Sequence, residues 1–116
     1  MSQRPRRSSK AAALQNCATI FAALGDETRL RLIAALCVGG ALSITQLTAH
    51  SDLTRQAVTK HLGVLAGAGL ARNTKVGRQR LWEFEPTQLE EARRSLEIIA
   101  SQWDHALERL KLAVER

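Results

Sequence analysis

Six basic side chains and no carboxylate lie between residues 53 and 82 of this 116-residue chain. They are Arg55, Lys60, Arg72, Lys75, Arg78 and Arg80. A cluster of charges of one sign creates a field that attracts a polyphosphate and offers nothing to a neutral partner. The alternative is a basic face that contacts only solvent. The positions of these side chains on the predicted helices and strands distinguish a polyphosphate-binding surface from a solvated face.

Residues 54–61 are predicted to open a helix that reads base edges, here called the reader helix. Thr54 is a good N-cap, and Val58, Leu62 and Leu65 share the inward face. The outward side chains near its start are Arg55, Gln56, Thr59 and Lys60. Arg can form two hydrogen bonds with guanine and Gln with adenine, while Thr and Lys reach bases or phosphates. His61 is interpreted as a packing or phosphate-contact residue.

A β-hairpin, here called the wing, is predicted directly after the reader helix. Its strands are residues 70–76 and 79–85, joined at Gly77-Arg78, with Trp82 and Phe84 on one face. Basic side chains surround the turn, namely Lys75, Arg78 and Arg80. Phosphate contacts from such a loop supply affinity without sequence information, whereas a helix in the major groove supplies specificity. Together the two elements predict a partner, double-stranded DNA.

Three helices are predicted ahead of the reader helix. The first begins near Ala11 and carries an apolar stripe of Leu14, Cys17, Phe21 and Leu24. Asp26 caps the second, whose predicted inward face is Leu30, Ile33, Ala34 and Cys37 before Gly39-Gly40 ends it. After an extended segment at 42–44, Thr45 is predicted to cap a short third helix that ends near His50.

The chain is predicted to end in a long amphipathic helix that reaches about Val114. Pro86 ends the preceding strand, and Thr87 and Glu90 have the spacing of a capping box. Its apolar seam consists of Leu89, Ala92, Leu96, Ile99, Trp103, Ala106 and Leu110, broadened by Leu107. A seam this long and regular exceeds what a small monomer buries, so we expect a partner helix from a second copy.

Composition indicates one mainly α-helical domain. The apolar fraction is 45%, with two Phe, two Trp and no Tyr, so the core must consist of aliphatic side chains. Residues 1–10 are predicted to be a disordered basic arm and residues 11–116 the folded domain. No membrane span or secretory signal is found, and two cysteines do not make a disulfide framework. We therefore expect a cytoplasmic protein.

Several strings resemble the ArsR family of winged helix-turn-helix repressors. They are Phe21-Ala-Ala-Leu-Gly-Asp-Glu-Thr-Arg-Leu-Arg-Leu-Ile33, residues 54–65, Ala68-Gly-Leu70, and Gly77-Arg78 with Trp82. The resemblance covers roughly residues 14–110. It implies a homodimer, held by the first and last helices, that binds an inverted-repeat operator and represses transcription. The dimer residues so implied are Leu14, Cys17, Phe21, Leu89, Leu96, Ile99, Trp103, Leu107 and Leu110.

The chain departs from the family at its metal-binding strings. The region that matches the Cys-Val-Cys string of metal-sensing relatives, residues 43–49, has no cysteine, and the last helix offers only adjacent Asp104 and His105. Consecutive helix positions point about 100° apart, whereas a tetrahedral ion needs converging donors. We therefore expect no metal and no cofactor. No catalytic arrangement is found either, so we do not expect an enzyme.

Two alternatives remain open on the same frame. Cys17 and Cys37 lie on predicted apolar stripes and are read as small buried hydrophobes, but a thiol switch or metalloid sensor is the other interpretation. A protein-interaction module whose basic face docks an acidic partner is the second alternative. The identity of any small-molecule effector is not indicated by the sequence.

Overall fold

The computed structural model describes residues 6–49 and 51–115 and confirms a mainly helical chain with a small antiparallel sheet. The elements in order are α1 (Arg6–Leu24), α2 (Glu27–Gly39), β1 (Leu42–Ser43), α3 (Ile44–Ala49), α4 (Arg55–Gly67), β2 (Ala71–Val76), β3 (Gln79–Phe84) and α5 (Pro86–Val114). The reader helix is α4, and the wing is formed by β2 and β3. The α3–α4 pair is the helix-turn-helix unit.

The predicted hairpin belongs to a three-stranded sheet with the order β1-β3-β2. Gly77, in the two-residue turn, has a φ of 63°, a left-handed conformation that glycine adopts without steric cost. The extended segment before α3 pairs antiparallel with β3, placing Leu42 opposite Trp82. This pairing ties the base of the wing to the helix-turn-helix unit.

The predicted inward face of α4 is confirmed, because Val58, Leu62 and Leu65 are completely buried. The predicted face of α2 is wrong in most of its members. Its buried residues are Leu32, Ile33 and Leu36, whereas Leu30, Ala34 and Cys37 are exposed. α2 carries apolar side chains on two adjoining stripes, and packing against β3 and α4 selects one of them.

The starts of three helices differ from the prediction. α1 begins at Arg6, whereas the sequence predicts a helix start near Ala11, and the first five residues of the predicted arm lie outside the described part of the chain. Arg, Lys and Ala are good helix formers, which favours extension of α1 ahead of its apolar stripe.

The caps of α3 and α5 also differ from the prediction. Ser43, rather than Thr45, caps α3: its Oγ accepts from the amide of Gln46 at 3.1 Å, and Gln46 Oε1 accepts from the amide of Ser43 at 2.9 Å. α5 begins at Pro86, with Glu85 as its N-cap. Proline suits this first helical position because its missing N–H would be unsatisfied there.

Asp26 caps α2 as predicted and makes folding stability depend on pH. The Arg29 amide donates a hydrogen bond of 3.0 Å to Asp26 Oδ2 and lowers the pKa of this carboxyl below its usual 3.8. A depressed pKa means that the stabilisation is complete at neutral pH and disappears as the pH falls through the folded-state value.

Asp26→Ala is therefore expected to lower the free energy of unfolding at pH 7, and the difference from wild type is expected to shrink as the pH falls below 3.8. Urea unfolding across this range measures it. Asp26→Asn is the matched control, because Asn caps a helix without titrating. A difference between wild type and Asp26→Ala that is the same throughout this pH range would contradict this role.

Candidate DNA-binding surface

The start of α4 presents its predicted polar side chains to solvent. The hydroxyl of Thr54 accepts a hydrogen bond of 3.1 Å from the amide of Ala57, which confirms the predicted N-cap. The exposed side chains that follow it are Arg55, Gln56, Thr59 and Lys60. The core fixes the buried face of α4 and keeps Gln56, Thr59 and Lys60 turned away from it, whereas Arg55, three residues before Val58, is exposed at the edge of α4 that adjoins α3.

Two of these polar side chains already have partners within the chain. Arg55 Nη1 donates a hydrogen bond of 2.7 Å to the hydroxyl of Thr45 in α3. The Thr59 hydroxyl donates to the Arg55 carbonyl at 2.7 Å, the common back-bond of Thr within a helix. Thr59 therefore keeps acceptor capacity for a base or phosphate, whereas its donor is occupied.

His61 is half-buried and faces the α1–α2 corner. Its Nδ1 lies 3.5 Å from Arg29 Nη1 and 4.0 Å from Asp26 Oδ2. Arg29 in turn donates 2.5 Å and 3.3 Å hydrogen bonds to the carbonyls of Ala23 and Ala22 at the end of α1. Of the two roles that the sequence left open for His61, these contacts support packing between the reader helix and α2.

The basic side chains of the wing differ in whether they form ion pairs. Arg72 Nη1 lies 3.1 Å from Glu85 Oε2, and Arg72 Nη2 lies 3.8 Å from Glu83 Oε2. The exposed cations nearer the turn, Lys75 and Arg78, make no ion pair within the described residues. The basic field of residues 53–82 is therefore weakened at Arg72 and concentrated towards the turn.

Arg80, on β3, has a hydrogen-bond partner but no ion-pair partner among the described residues. It is exposed and lies opposite Lys75 in the strand register, so two cations stand side by side next to the turn. Arg80 Nη1 donates a hydrogen bond of 2.8 Å to Asn73 Oδ1, a neutral partner that leaves the charge uncompensated. Like charges directly opposite each other are destabilising in a hairpin, and an anion between them would relieve the repulsion.

The side chains predicted for dimer contact divide into exposed and buried groups. The exposed ones are Leu14 and Phe21 of α1 and Leu96, Ile99, Trp103, Leu107 and Leu110 of α5. Leu89 is half-buried and packs against the chain's own core. Cys17 is only 6% exposed, and its Sγ donates to Ser95 Oγ at 3.1 Å. Cys17 therefore belongs to the core of the chain, contrary to its predicted place on a dimer surface.

The two cysteines have different environments. Cys17 is the buried hydrophobe that the sequence predicts, whereas Cys37 is exposed on α2, contrary to the prediction. Across the described ranges, no group of three or more His, Cys, Asp or Glu side chains converges in a way that suits a metal ion. No helix in the described part of the chain is both long enough and apolar enough to cross a bilayer.

Known proteins share this sequence pattern and fold. Residues 24–73 match a sequence model described as a helix-turn-helix domain. The transcriptional regulator CmtR of Mycobacterium tuberculosis is 47% identical over 57 residues, which are 49% of this chain and 48% of CmtR, so the match spans about half of that relative. An ArsR-like transcriptional regulator from Rhodococcus sp. RHA1 is 34% identical, with 86% of this chain and 93% of that chain covered and a TM-score of 0.77.

One further protein resembles this chain in fold, with low sequence identity. The winged helix-turn-helix DNA-binding domain of a Mycobacterium bovis protein, described as homodimeric, is 21% identical. The match covers 94% of this chain and 95% of that domain, with a TM-score of 0.64. The arrangement of α3, α4 and the wing is therefore shared by proteins whose sequences have diverged widely.

The fold and its polar surface define a winged helix-turn-helix protein that binds DNA and regulates transcription. The helix-turn-helix match, the identity to CmtR and the near-complete overlap with the Rhodococcus regulator agree on this class. The chain belongs to the ArsR family of transcriptional regulators.

Proposed function

We propose that this chain forms a homodimer that binds an inverted-repeat operator and represses transcription there. The observation that carries the proposal is the apolar face of α5, whose exposed members run from Leu96 to Leu110 without a partner among the described residues. The radius of gyration is 19.2 Å, whereas a compact domain of this length has about 13 Å. Long helices that project from their own core are suited to pack against a second copy.

The homodimeric M. bovis domain supports the same arrangement, because its fold matches nearly all of this chain. In a two-fold dimer, two reader helices enter successive major grooves, and their half-sites lie about 34 Å apart. Arg55 and Gln56 are proposed to read base edges, with Thr59 and Lys60 at bases or phosphates. Repression then follows from occupancy, because a dimer seated on an operator blocks other proteins from the same DNA.

The wing is proposed to contact phosphates through Lys75, Arg78 and Arg80. These side chains are exposed and lie at or beside the turn, and none is in an ion pair within the described residues. A phosphate contact releases condensed counterions, so each contact steepens the salt dependence of binding by about 0.9 in the log-log slope.

Arg78→Ala is expected to make the slope of log K against log salt concentration shallower by about 2 for a dimer, since each copy loses one contact. The preference among operator sequences is expected to stay the same, because phosphates carry no base information. Fluorescence anisotropy with a labelled duplex, titrated at several salt concentrations, measures both quantities.

Arg72→Ala is the matched control, since Arg72 lies in the same hairpin but is paired with Glu85 and Glu83. Its slope is expected to equal that of wild type. An Arg78→Ala slope equal to wild type would remove the turn of the wing from the DNA contact set. A change in sequence preference would instead assign Arg78 to base reading.

A promoter-reporter assay tests the sign of regulation. Deleting this chain is expected to raise expression from a promoter that overlaps its operator, and supplying the chain in trans is expected to lower it again. Expression that falls on deletion would identify an activator. Binding to DNA would survive that result, so the assay separates the direction of regulation from DNA recognition.

A further inference from the structure

The guanidinium of Arg55 is held by a hydroxyl from the neighbouring helix. Arg55 Nη1 donates to Thr45 Oγ1 at 2.7 Å, a short hydrogen bond between residues ten positions apart in the chain. Thr45 belongs to α3 and Arg55 is the first residue of α4, so the contact joins the two halves of the helix-turn-helix unit. Both side chains are exposed, so the contact adds nothing to the apolar core.

The position of Thr45 is fixed from both directions along α3. The reciprocal hydrogen bonds of Ser43 and Gln46 close the start of the helix around it. Leu47, two residues later, is buried in the core, and Thr48 Oγ1 donates to the Ile44 carbonyl at 2.6 Å. The Thr45 hydroxyl is therefore presented from a short helix that is anchored by its cap and by the apolar side chains of Ile44 and Leu47.

The backbone of Arg55 is equally constrained. It follows the Thr54 N-cap directly, and its carbonyl accepts the hydrogen bond from Thr59. What remains free is the long side chain, which samples many rotamers when nothing holds it. Binding one Nη donor restricts the plane of the guanidinium and leaves other N–H groups available for the two acceptors on a guanine edge.

We propose that Thr45 is a positioning residue that orients Arg55 for base recognition and thereby sets how strongly the dimer discriminates at one base pair of each half-site. The inference rests on the proposed function, since it requires that Arg55 reads a base. Thr45 acts through Arg55 and does not itself touch the base. An arginine that is already oriented loses less conformational freedom on binding, and this gain applies only to the base that accepts both hydrogen bonds.

The test compares Thr45→Val, Thr45→Ser and Arg55→Ala by measuring affinity for a set of duplexes that carry every single-base change in the operator. Arg55→Ala is expected to identify the base pair that Arg55 reads, by abolishing discrimination there. Thr45→Val, which keeps the shape of the side chain but removes the hydroxyl, is expected to reduce discrimination at that same base pair by roughly two- to tenfold. Thr45→Ser restores the hydroxyl and is expected to restore discrimination.

Thr48→Val is the matched control. It also removes a hydroxyl from α3, but the hydrogen bond of that hydroxyl stays within α3. It is expected to leave every base preference unchanged. Thermal unfolding of each variant is measured beside the binding curves, and Thr45→Ala provides a second hydroxyl-free variant.

Three results would overturn the inference, and they are distinguishable. Relaxed preference in Arg55→Ala with unchanged preference in Thr45→Val would leave the proposed function intact and remove Thr45 from it. Equal weakening of all duplexes by Thr45→Val, with a shallower salt slope, would make Thr45 a phosphate contact. Unchanged preferences in Arg55→Ala would remove Arg55 from base reading, and the positioning role would fall with it.

Discussion

Ile99→Asp is expected to turn the dimer into monomers at micromolar concentration. Ile99 is 54% exposed in the isolated chain and lies in the middle of the apolar face of α5. In a two-fold dimer this substitution places two carboxylates in an apolar interface, and each unpaired buried charge costs several kcal/mol. Because the dimer contains the substitution twice, its association is expected to weaken by at least about a thousandfold.

The chain supplies an adjacent control for this substitution. Ile98 is 61% exposed, a value close to that of Ile99, but it points about 100° away around the helix. Ile98→Asp is expected to remain dimeric. Sedimentation velocity of the two variants at matched concentrations measures the difference. If Ile99→Asp stays dimeric, or if both variants dissociate alike, the apolar face of α5 is not the interface.

Loss of the dimer is also expected to weaken operator binding by at least about a hundredfold. A monomer engages one half-site, whereas a dimer gains from the high effective concentration of the second reader helix once the first is bound. Affinity for a duplex with a single half-site is expected to be nearly the same for wild type and Ile99→Asp. This second measurement distinguishes a lost partner from a damaged reader helix.

Leu62→Ala is expected to lower the free energy of unfolding by about 2–5 kcal/mol, which is a large fraction of the stability of a small domain. Leu62 is completely buried and lies between Val58 and Leu65 on the core face of α4. The cavity left by the substitution weakens the packing that keeps the reader helix in place. DNA binding is expected to fail at temperatures where wild type still binds.

Val64 provides the comparison within the same helix. It is 42% exposed and faces away from the core, so Val64→Ala is expected to change stability by less than about 0.5 kcal/mol. Thermal unfolding has to be compared at equal protein concentration, because dimer formation makes the transition concentration-dependent. Equal losses for Leu62→Ala and Val64→Ala would show that the core does not position α4 as described.

The sequence predicted the elements that have strong local signals. Thr54, as an N-cap, predicted where α4 begins. The helical spacing of Val58, Leu62 and Leu65 predicted its buried face. Gly77 specified the hairpin turn, and the regular seam specified α5. In α4 the local preference and the tertiary packing agree, and in the turn and in α5 the local signal alone is strong, so the local pattern was sufficient.

The elements that the sequence missed depend on contacts between distant residues. α2 has two apolar stripes, and only packing shows that Leu32 and Leu36 are buried rather than Leu30 and Cys37. The pairing of the two-residue strand β1 with β3 joins positions forty apart in the chain, Leu42 and Trp82. A run that short carries no periodic signal.

The candidate site was predicted in its residue types but not in its internal contacts. The exposed reader residues and the wing cations lie where the sequence placed them. The pairing of Arg72 with Glu83 and Glu85 could not be predicted from the charge pattern, because both acids lie just beyond the end of the basic segment at residue 82. The inward position of His61 and the contact of Thr45 with Arg55 depend on how α4 packs against α2 and α3, which residue spacing does not define.

Selection from a pool of random DNA duplexes shows whether two reader helices recognise DNA together. The purified chain is expected to enrich an inverted repeat whose half-site centres lie about 10–10.5 base pairs apart, the spacing set by two reader helices in a two-fold dimer. Enrichment of a single, unrepeated half-site would contradict the dimer. No enrichment of any duplex at low ionic strength would contradict DNA recognition itself and would favour an acidic protein as the partner of the basic surface.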